Sequence, residues 1–212
     1  MKSKFKCSSS GFLAGLITTV IALTSCTAKD VGNLEITGIV FDKSTQKPIE
    51  GAYVVATYKR SRGTIGGHSS SYCYMTTGMF TGADGKYNLP VTAIDYGSPQ
   101  TVNAIKPGYY LGDSVYHKFD IHKDPKAWFS NRHVYLLPQD PSKPGFEYSS
   151  ISMFCDGAET KGDAAAAIQF MTIKMAELKK YGADPNSIGG TASLIETMAS
   201  LPASIGINER KR

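Results

Sequence analysis

The chain lacks a long hydrophobic run and a strong charge of either sign. Its longest uncharged apolar run covers residues 11–23, whereas a transmembrane helix needs about 20 apolar residues. The 212 residues include 23 lysines and arginines against 18 aspartates and glutamates. Because residues 1–25 hold three of these basic residues and none of the acidic ones, the net charge of the remainder is about +2. So small an excess gives no reason to expect a nucleic-acid partner.

Motifs of the common enzyme classes are also missing. None of the four histidines is followed three residues later by glutamate, as a zinc carboxypeptidase would require. The sequence contains no Gly-x-Ser-x-Gly elbow, no P-loop and no Gly-x-Gly-x-x-Gly. We therefore expect no catalytic activity and no cofactor. The alternative is an enzyme, metal-dependent or not, whose site follows no known motif.

Two short segments contain residues that could carry chemistry. On a strand, Asp120, His122 and Asp124 would share one face as an oxygen–nitrogen–oxygen ligand set. A polar surface strand is the preferred interpretation, so we predict no metal site there. The second segment pairs His68 with neighbouring serines in a Gly/Ser-rich stretch, where a flexible loop is preferred to a catalytic pair. We name His68, Tyr72 and Tyr74 as binding-loop candidates, because aromatic side chains there suit a glycan or a peptide.

The N-terminus has the order of parts of an export signal. Lys2, Lys4 and Lys6 precede the apolar run, which ends in Leu23-Thr24-Ser25-Cys26. This ending resembles the lipobox of bacterial lipoproteins. The resemblance implies a signal peptide over residues 1–25, palmitate and other lipid on Cys26, and a short tether over residues 26–33. Because threonine and not aspartate follows the cysteine, it also implies an outer-membrane protein facing the periplasm. An ordinary secretory signal is the alternative.

Cysteine usage agrees with export. Cys7 would leave with the signal and Cys26 would carry lipid, so only Cys73 and Cys155 remain. An even pair in an oxidising compartment is usually bonded, and we predict a disulfide between the two. Two buried free thiols are the alternative.

Residues 34–138 have the composition of short strands and turns, which predicts a β-sandwich. Residues 52–58 are the clearest strand, and residues 61–71 are predicted to be a Gly/Ser-rich loop. The short basic cluster at residues 59–62 is interpreted as solvated surface. The segment 139–159, which begins with several prolines, is predicted to be a linker.

Residues 160–212 are predicted to form a helical hairpin with a basic tail. In the first helix, over residues 162–181, apolar side chains recur at helical spacing while several polar ones avoid that stripe. The stripe consists of Ile168, Met171, Met175 and Leu178, and the excluded polar residues are Gln169, Lys174, Glu177 and Lys180. Gly182 suits a C-cap, and Asp184-Pro185 predicts a turn. Ser193 and Glu196 have capping-box spacing at the start of the second helix. The hairpin either packs on the sandwich or offers a partner surface.

Four segments in the β region resemble the carboxypeptidase regulatory-like domain. They are residues 37–42 (Thr-Gly-Ile-Val-Phe-Asp), 47–52 (Lys-Pro-Ile-Glu-Gly-Ala), Thr81 with 84–89 (Asp-Gly-Lys-Tyr-Asn-Leu), and 106–109 (Lys-Pro-Gly-Tyr). The resemblance implies a transthyretin-like Greek-key β-sandwich over residues 34–138 that serves as a scaffold or recognition module. We expect Gly51 and Gly85 to take positive φ angles, and Asp84 to bond its own turn backbone.

Together these features predict a lipid-anchored module of the cell envelope that binds or supports without catalysis. The membrane is its first expected partner, through the lipid, and an envelope protein or glycan is the second. A subunit of an envelope secretion or assembly machine is the alternative within the same compartment.

Overall fold

The computed structural model describes residues 35–63, 69–90, 101–114, 129–140 and 153–204. Seven strands and two helices lie within these ranges. They are β1 (Glu35–Asp42), β2 (Tyr53–Gly63), β3 (Ser69–Phe80), β4 (Lys86–Pro90), β5 (Thr101–Ile105), β6 (Tyr109–Ser114), β7 (Val134–Pro138), α1 (Ala165–Lys180) and α2 (Pro185–Ala199). Neither described helix is long and apolar enough to cross a bilayer.

The strands form two sheets that pack face to face. In the four-stranded sheet the order is β4-β1-β7-β6, with β1 antiparallel to β4 and parallel to β7. The three-stranded sheet has β2 at its centre, antiparallel to both β3 and β5. The two helices follow and pack on each other, so the structure confirms a sandwich-like β unit with a C-terminal helical pair.

The first six residues of β2, Tyr53 to Tyr58, are buried on both faces of the strand. Val54, Ala56 and Tyr58 pack between the sheets, whereas Tyr53 and Val55 point to the helix layer. A strand segment covered on both sides has little room for polar side chains, which explains why five of these six residues are apolar or aromatic and only Thr57 is polar. The rest of the core between the sheets includes Ile36, Val40, Tyr87, Leu89, Val102, Ala104, Val134 and Leu136.

Helix α1 builds a second core on the outer face of the three-stranded sheet. Phe170, Met171 and Leu178 are fully buried there with Val55 of β2. Met198 of α2 closes this core from the other side. The hairpin is therefore packed on the sandwich, as one of the two sequence interpretations held.

The predicted stripe of α1 is partly wrong. Lys174 and Glu177, expected to avoid it, are each only 4 % exposed, whereas Ile168 and Met175 are half-buried. The reason is that α1 contacts three strands and α2 at once, so the buried arc is wider than one stripe. Glu177 accepts a hydrogen bond from the backbone N–H of Gly108 at 2.8 Å, and burial lowers the pKa of the Lys174 ammonium.

The predicted start of the second helix is also wrong. Helix α2 begins at Pro185, and Ser193 and Glu196 lie within it. Asp184 is the N-cap, and its carboxylate accepts a hydrogen bond from the backbone N–H of Ser187 at 3.0 Å. Proline suits the first helical position because its fixed φ is helical and no N–H is needed there. The dipeptide therefore begins a helix, and the turn before it is made at Gly182, whose φ of +65° agrees with the predicted C-cap.

The predicted loop over residues 61–71 is partly wrong, because residues 61–63 and 69–71 belong to strands. Strands β2 and β3 stay paired as far as Gly63 and Ser69, past a register shift at Tyr58/Lys59. Backbone hydrogen bonds hold this ribbon together, and they need no apolar side chains. Residues 64–68, which include the binding candidate His68, lie outside the described residues.

The predictions for Gly51 and for the Asp84-Gly85 turn are confirmed. Gly51 and Gly85 have φ angles of +63° and +69°. The Asp84 carboxylate accepts a hydrogen bond from the Lys86 backbone N–H at 3.1 Å. At Gly85 a side chain would also collide with Pro48, since an added Cβ would lie 2.7 Å from that ring.

Candidate binding cleft beside the disulfide

A disulfide joins Cys73 of β3 to Cys155, with 4.6 Å between the two Cα atoms. Both cysteines are 3 % exposed and belong to the core under α1. The predicted pairing is confirmed. Because disulfides persist in oxidising compartments, the bond indicates a location outside the cytoplasm.

The disulfide holds a segment that we call the strap, residues 153–163, against the free edge of β3. The Gly157 N–H donates to the Cys73 carbonyl at 2.6 Å, and the Asp156 carboxylate accepts from the Cys73 N–H at 2.8 Å. Further along, the Thr76 N–H donates to the Asp163 carbonyl at 2.8 Å. These hydrogen bonds use backbone N–H and C=O groups on the edge of β3 with which another strand could otherwise pair. Most of the strap lies in the predicted linker, but Met153 and Cys155 there are buried.

A cleft of about 240 Å³ opens between the strap and the ribbon of β2 and β3. Its residues come from both sides: Arg60, Tyr72, Tyr74, Met75, Gly157, Glu159, Thr160 and Asp163. Tyr72 and Tyr74 are two residues apart on β3 and are both half-buried. The structure therefore places these two binding candidates on a strand and brings them together in one cleft.

Stacking fixes the β side of the cleft. The Arg60 guanidinium lies 4.1 Å from the centre of the Tyr74 ring, within the range of a cation–π interaction. Tyr74 in turn meets the buried ring of Tyr58 edge-on, with 6.4 Å between centroids. The exposed cation is thus held against a ring that is itself anchored in the core.

Close packing fixes the strap side. A Cβ added to Gly157 would lie 2.7 Å from Cε2 of Tyr72 and 2.8 Å from the Cys73 carbonyl oxygen, so only glycine fits. The Asp163 carboxylate accepts two hydrogen bonds from Thr160, from its N–H at 3.0 Å and its hydroxyl at 2.7 Å. Glu159 is exposed at the rim. The cleft therefore presents one guanidinium, one solvent-facing carboxylate and an aromatic wall.

Sequence reasoning missed most of these groups. The sequence pattern predicts Arg60 to be part of a solvated basic cluster, and Gly157, Glu159 and Asp163 stand more than 80 residues away from Tyr72 in the chain. The available signal was the pairing of Cys73 with Cys155, since it brings the residues after Cys155 next to the tyrosines.

The other predicted functional residues lie outside the described residues. These are the lipid site Cys26 and the weak metal candidates Asp120, His122 and Asp124. Across the described ranges, no three His, Cys, Asp or Glu side chains are grouped so as to hold a metal ion.

A second, wider cleft of about 480 Å³ lies on the four-stranded sheet, lined in part by Thr37, Lys86, Asn88 and His133. His133 is engaged within the sheet, since its Nδ1 accepts from the Ile39 N–H at 3.2 Å. This cleft contains one cation and no carboxylate among its lining residues, and none of the predicted binding residues.

No protein-family model matches the chain, and no curated protein matches it in sequence. Solved structures of the shaft pilin SpaA from Lactobacillus rhamnosus GG show a distant structural similarity. Two mutants of the pilin each give a TM-score of 0.33 at 16 % and 17 % identity, and the unsubstituted protein gives 0.31 at 16 %. Each match covers 51 % of this chain and 47 % of the pilin chain, so about half of each protein is compared. A likeness this weak supports no argument about function.

Proposed function

We propose that this protein is a lipid-anchored module of the cell envelope that binds a partner without catalysing a reaction. The partner is an envelope protein or a glycan. The observation that carries the proposal is the cleft beside the disulfide, where Tyr72, Tyr74 and Arg60 stand at the surface of a rigid support. Aromatic and arginine side chains dominate binding energy when they are held in place before the partner arrives.

The support for that rigidity is local and specific. Cys73 lies between the two tyrosines, and its disulfide fixes the strap that forms the opposite wall. Tyr74 is clamped between Arg60 and the buried Tyr58. Little conformational entropy remains to be lost on binding, which favours a recognition surface.

We further propose that the sandwich is of the carboxypeptidase regulatory-like type, with Greek-key connections. In its favour, the chain crosses between the two sheets after β1, β3, β4 and β5. Residues that carry the resemblance also stabilise the fold through hydrogen bonds. The Thr81 hydroxyl donates to the Ile49 carbonyl at 2.7 Å and accepts from the Ala52 N–H at 2.9 Å. The buried Tyr87 hydroxyl donates to the Arg132 carbonyl, and burial raises the pKa of this phenol.

The proposed anchor rests on the sequence alone. Lipid on Cys26 would leave the tether of seven residues from Thr27 to Asn33 before the sandwich. At 3.3–3.6 Å per residue this tether reaches about 25 Å when fully extended. A module held so near the membrane meets other anchored proteins and nearby glycans, and the disulfide agrees with a place outside the cytoplasm.

The test uses the full chain in its own envelope. We expect Tyr72→Ala to lower both formaldehyde crosslinking, which captures protein partners, and co-sedimentation with purified peptidoglycan, which captures a glycan. Tyr135→Ala is the matched control, because Tyr135 is a half-buried aromatic on the other sheet, stacked on Phe41 at 5.6 Å. Circular dichroism checks folding. If a folded Tyr72→Ala protein behaves like the control in both measurements, the cleft is not the binding surface.

A further inference from the structure

We propose that the cleft beside the disulfide takes one uncharged sugar ring of a glycan. This inference rests on the binding function proposed above and names the class of ligand. Four features of the cleft carry it: its size, the apolar surface of Tyr72, its polar groups, and the way in which the strap blocks the edge of β3.

The size of the cleft limits the ligand to one ring-sized group. Drug-sized ligands occupy pockets of roughly 300–1,000 Å³, and this cleft has about 240 Å³. One sugar ring fits within this volume, whereas a drug-sized ligand does not.

Tyr72 provides the apolar surface of the cleft. One edge of its ring lies against Gly157, where no side chain fits, and the residue stays half-buried at the cleft wall. On the neighbouring Tyr74, the Arg60 guanidinium covers one face of the ring. A sugar has apolar C–H faces as well as hydroxyls, so it can lie on Tyr72 while its polar edge faces the rim.

The polar groups at the rim favour a ligand that both donates and accepts hydrogen bonds. Arg60 has only donors, and the carboxylate of Glu159 has only acceptors. Asp163 and Thr160 are already bonded to each other. An anionic ligand would meet the carboxylates of Glu159 and Asp163, and a cationic one would meet Arg60. A neutral ring with several hydroxyls satisfies Arg60 and Glu159 together, because each hydroxyl both donates and accepts.

An extended peptide is a poorer occupant. Peptides commonly bind by adding a strand to a free sheet edge. Here the strap occupies that edge of β3: Cys73 has both its N–H and its carbonyl bonded to the strap, and the Thr76 N–H is bonded to Asp163. A peptide would have to displace a segment that is held by a disulfide.

The experiment measures binding of full-length protein, purified in detergent, to immobilised hexasaccharides. Cellohexaose, mannohexaose and chitohexaose are the neutral probes, and hexagalacturonate and the hexamer of glucosamine are the charged ones. We expect at least one neutral hexamer to bind, and the charged hexamers to bind about tenfold more weakly or not at all. Tyr72→Ala should weaken binding about tenfold, since an aromatic contact and its buried area are lost. Tyr72→Phe should stay within about threefold, because the ring remains.

Two results overturn the proposal: failure of a folded protein to bind any neutral hexamer at millimolar concentration, or equal binding by Tyr72→Ala and the Tyr135→Ala control. The envelope measurements separate this failure from that of the broader function. If Tyr72→Ala loses protein crosslinking while no sugar binds, the cleft is a protein-binding site and only the sugar assignment is wrong. If neither readout depends on Tyr72, the cleft has no binding role and both proposals fall.

Discussion

Removing the Cys73–Cys155 disulfide should lower the free energy of unfolding mainly through its effect on the unfolded chain. The bond joins residues 82 apart. In the chain-entropy model a loop of this length restricts the unfolded ensemble by about 15 cal/mol/K, which is about 4.5 kcal/mol at 25 °C. The double variant Cys73→Ser/Cys155→Ser is the cleanest perturbation, because it leaves no single thiol to form a wrong pair.

Two smaller effects of opposite sign modify this figure: the folded state adds a cost, and residual compactness of the unfolded chain reduces the entropic effect. Both cysteines are 3 % exposed in the core under α1, so two serine hydroxyls placed there would lack water and add a cost. The hydrogen bonds of Gly157 and Asp156 to Cys73 involve backbone groups on the β3 side, and they remain after substitution. We therefore expect a total loss of about 3–5 kcal/mol, within the range of native disulfides.

The assay is urea unfolding followed by circular dichroism. The matched control is the unsubstituted protein unfolded in the presence of reductant, which should lose a similar amount of stability with a similar dependence on urea. A loss below about 1 kcal/mol in both samples would refute the reasoning. It would mean that the unfolded chain is already compact enough for the crosslink to restrict it very little.

Three further predictions follow from the sequence and the fold. Thr81→Val removes a buried hydroxyl that is hydrogen-bonded to two backbone groups. It should lower the free energy of unfolding by about 2–3 kcal/mol in the same urea assay. A loss below about 0.5 kcal/mol, which is the size of a typical surface effect, would contradict this prediction. Hydrogen bonds, first that from the Ser44 hydroxyl, lower the pKa of Asp42 below its ordinary 3.8. The ionised Asp42 carboxylate therefore contributes its full stabilisation above pH 3.8, and this contribution is lost as the pH falls toward the lower pKa of the folded state. The difference in unfolding free energy between wild type and Asp42→Asn should shrink as the pH falls below 3.8. A difference that stays constant with pH would contradict the prediction. Cys26→Ser should abolish lipid labelling and globomycin-sensitive processing, and normal labelling of the variant would exclude the proposed anchor.

Much of the sandwich could be predicted because its signals are local. A positive φ at Gly85 and a bonded Asp84 are properties of one turn, and the sequence of that turn contains both residues. The apolar run of β2 likewise marks a strand before its neighbours are known. Strand ends were harder to predict, since residues 59–63 and 69–73 form a ribbon only by pairing two polar segments with each other. Neither of those segments has apolar alternation to reveal it.

The helices show how tertiary contacts change a local pattern. Helical spacing predicts Glu177 on the solvent side of α1, but the Gly108 N–H gives its carboxylate a buried partner. Gly108 lies 69 residues away from Glu177 in the chain. The pattern of apolar residues within the helix therefore cannot predict this contact. For α2 the error was of another kind. Asp184-Pro185 suits both a turn and a helix start, and only the bond from Ser187 decides between them.

Only one wall of the candidate cleft could be predicted from the sequence. The two tyrosines and the disulfide could be named from the sequence, because residue type and cysteine count were enough. The opposite wall could not, because it depends on which residues of the strap face β3 once Cys155 is joined to Cys73. Gly157 then lies against Tyr72, and Glu159 and Asp163 reach the rim. A segment whose composition suggested only a linker thus becomes the part that closes the cleft.

The disulfide therefore links the stability of the fold to the geometry of the cleft. Adjacent residues of a strand point to opposite faces, so Cys73 enters the core under α1 while Tyr72 and Tyr74 face the cleft. A displacement of Cys155 would move the strap wall relative to the tyrosines without touching either ring. The hydrogen bonds from the strap to the β3 edge oppose such a displacement, and they also exclude a competing strand. One crosslink and a few backbone bonds thus fix the width of the cleft, which limits what it can bind.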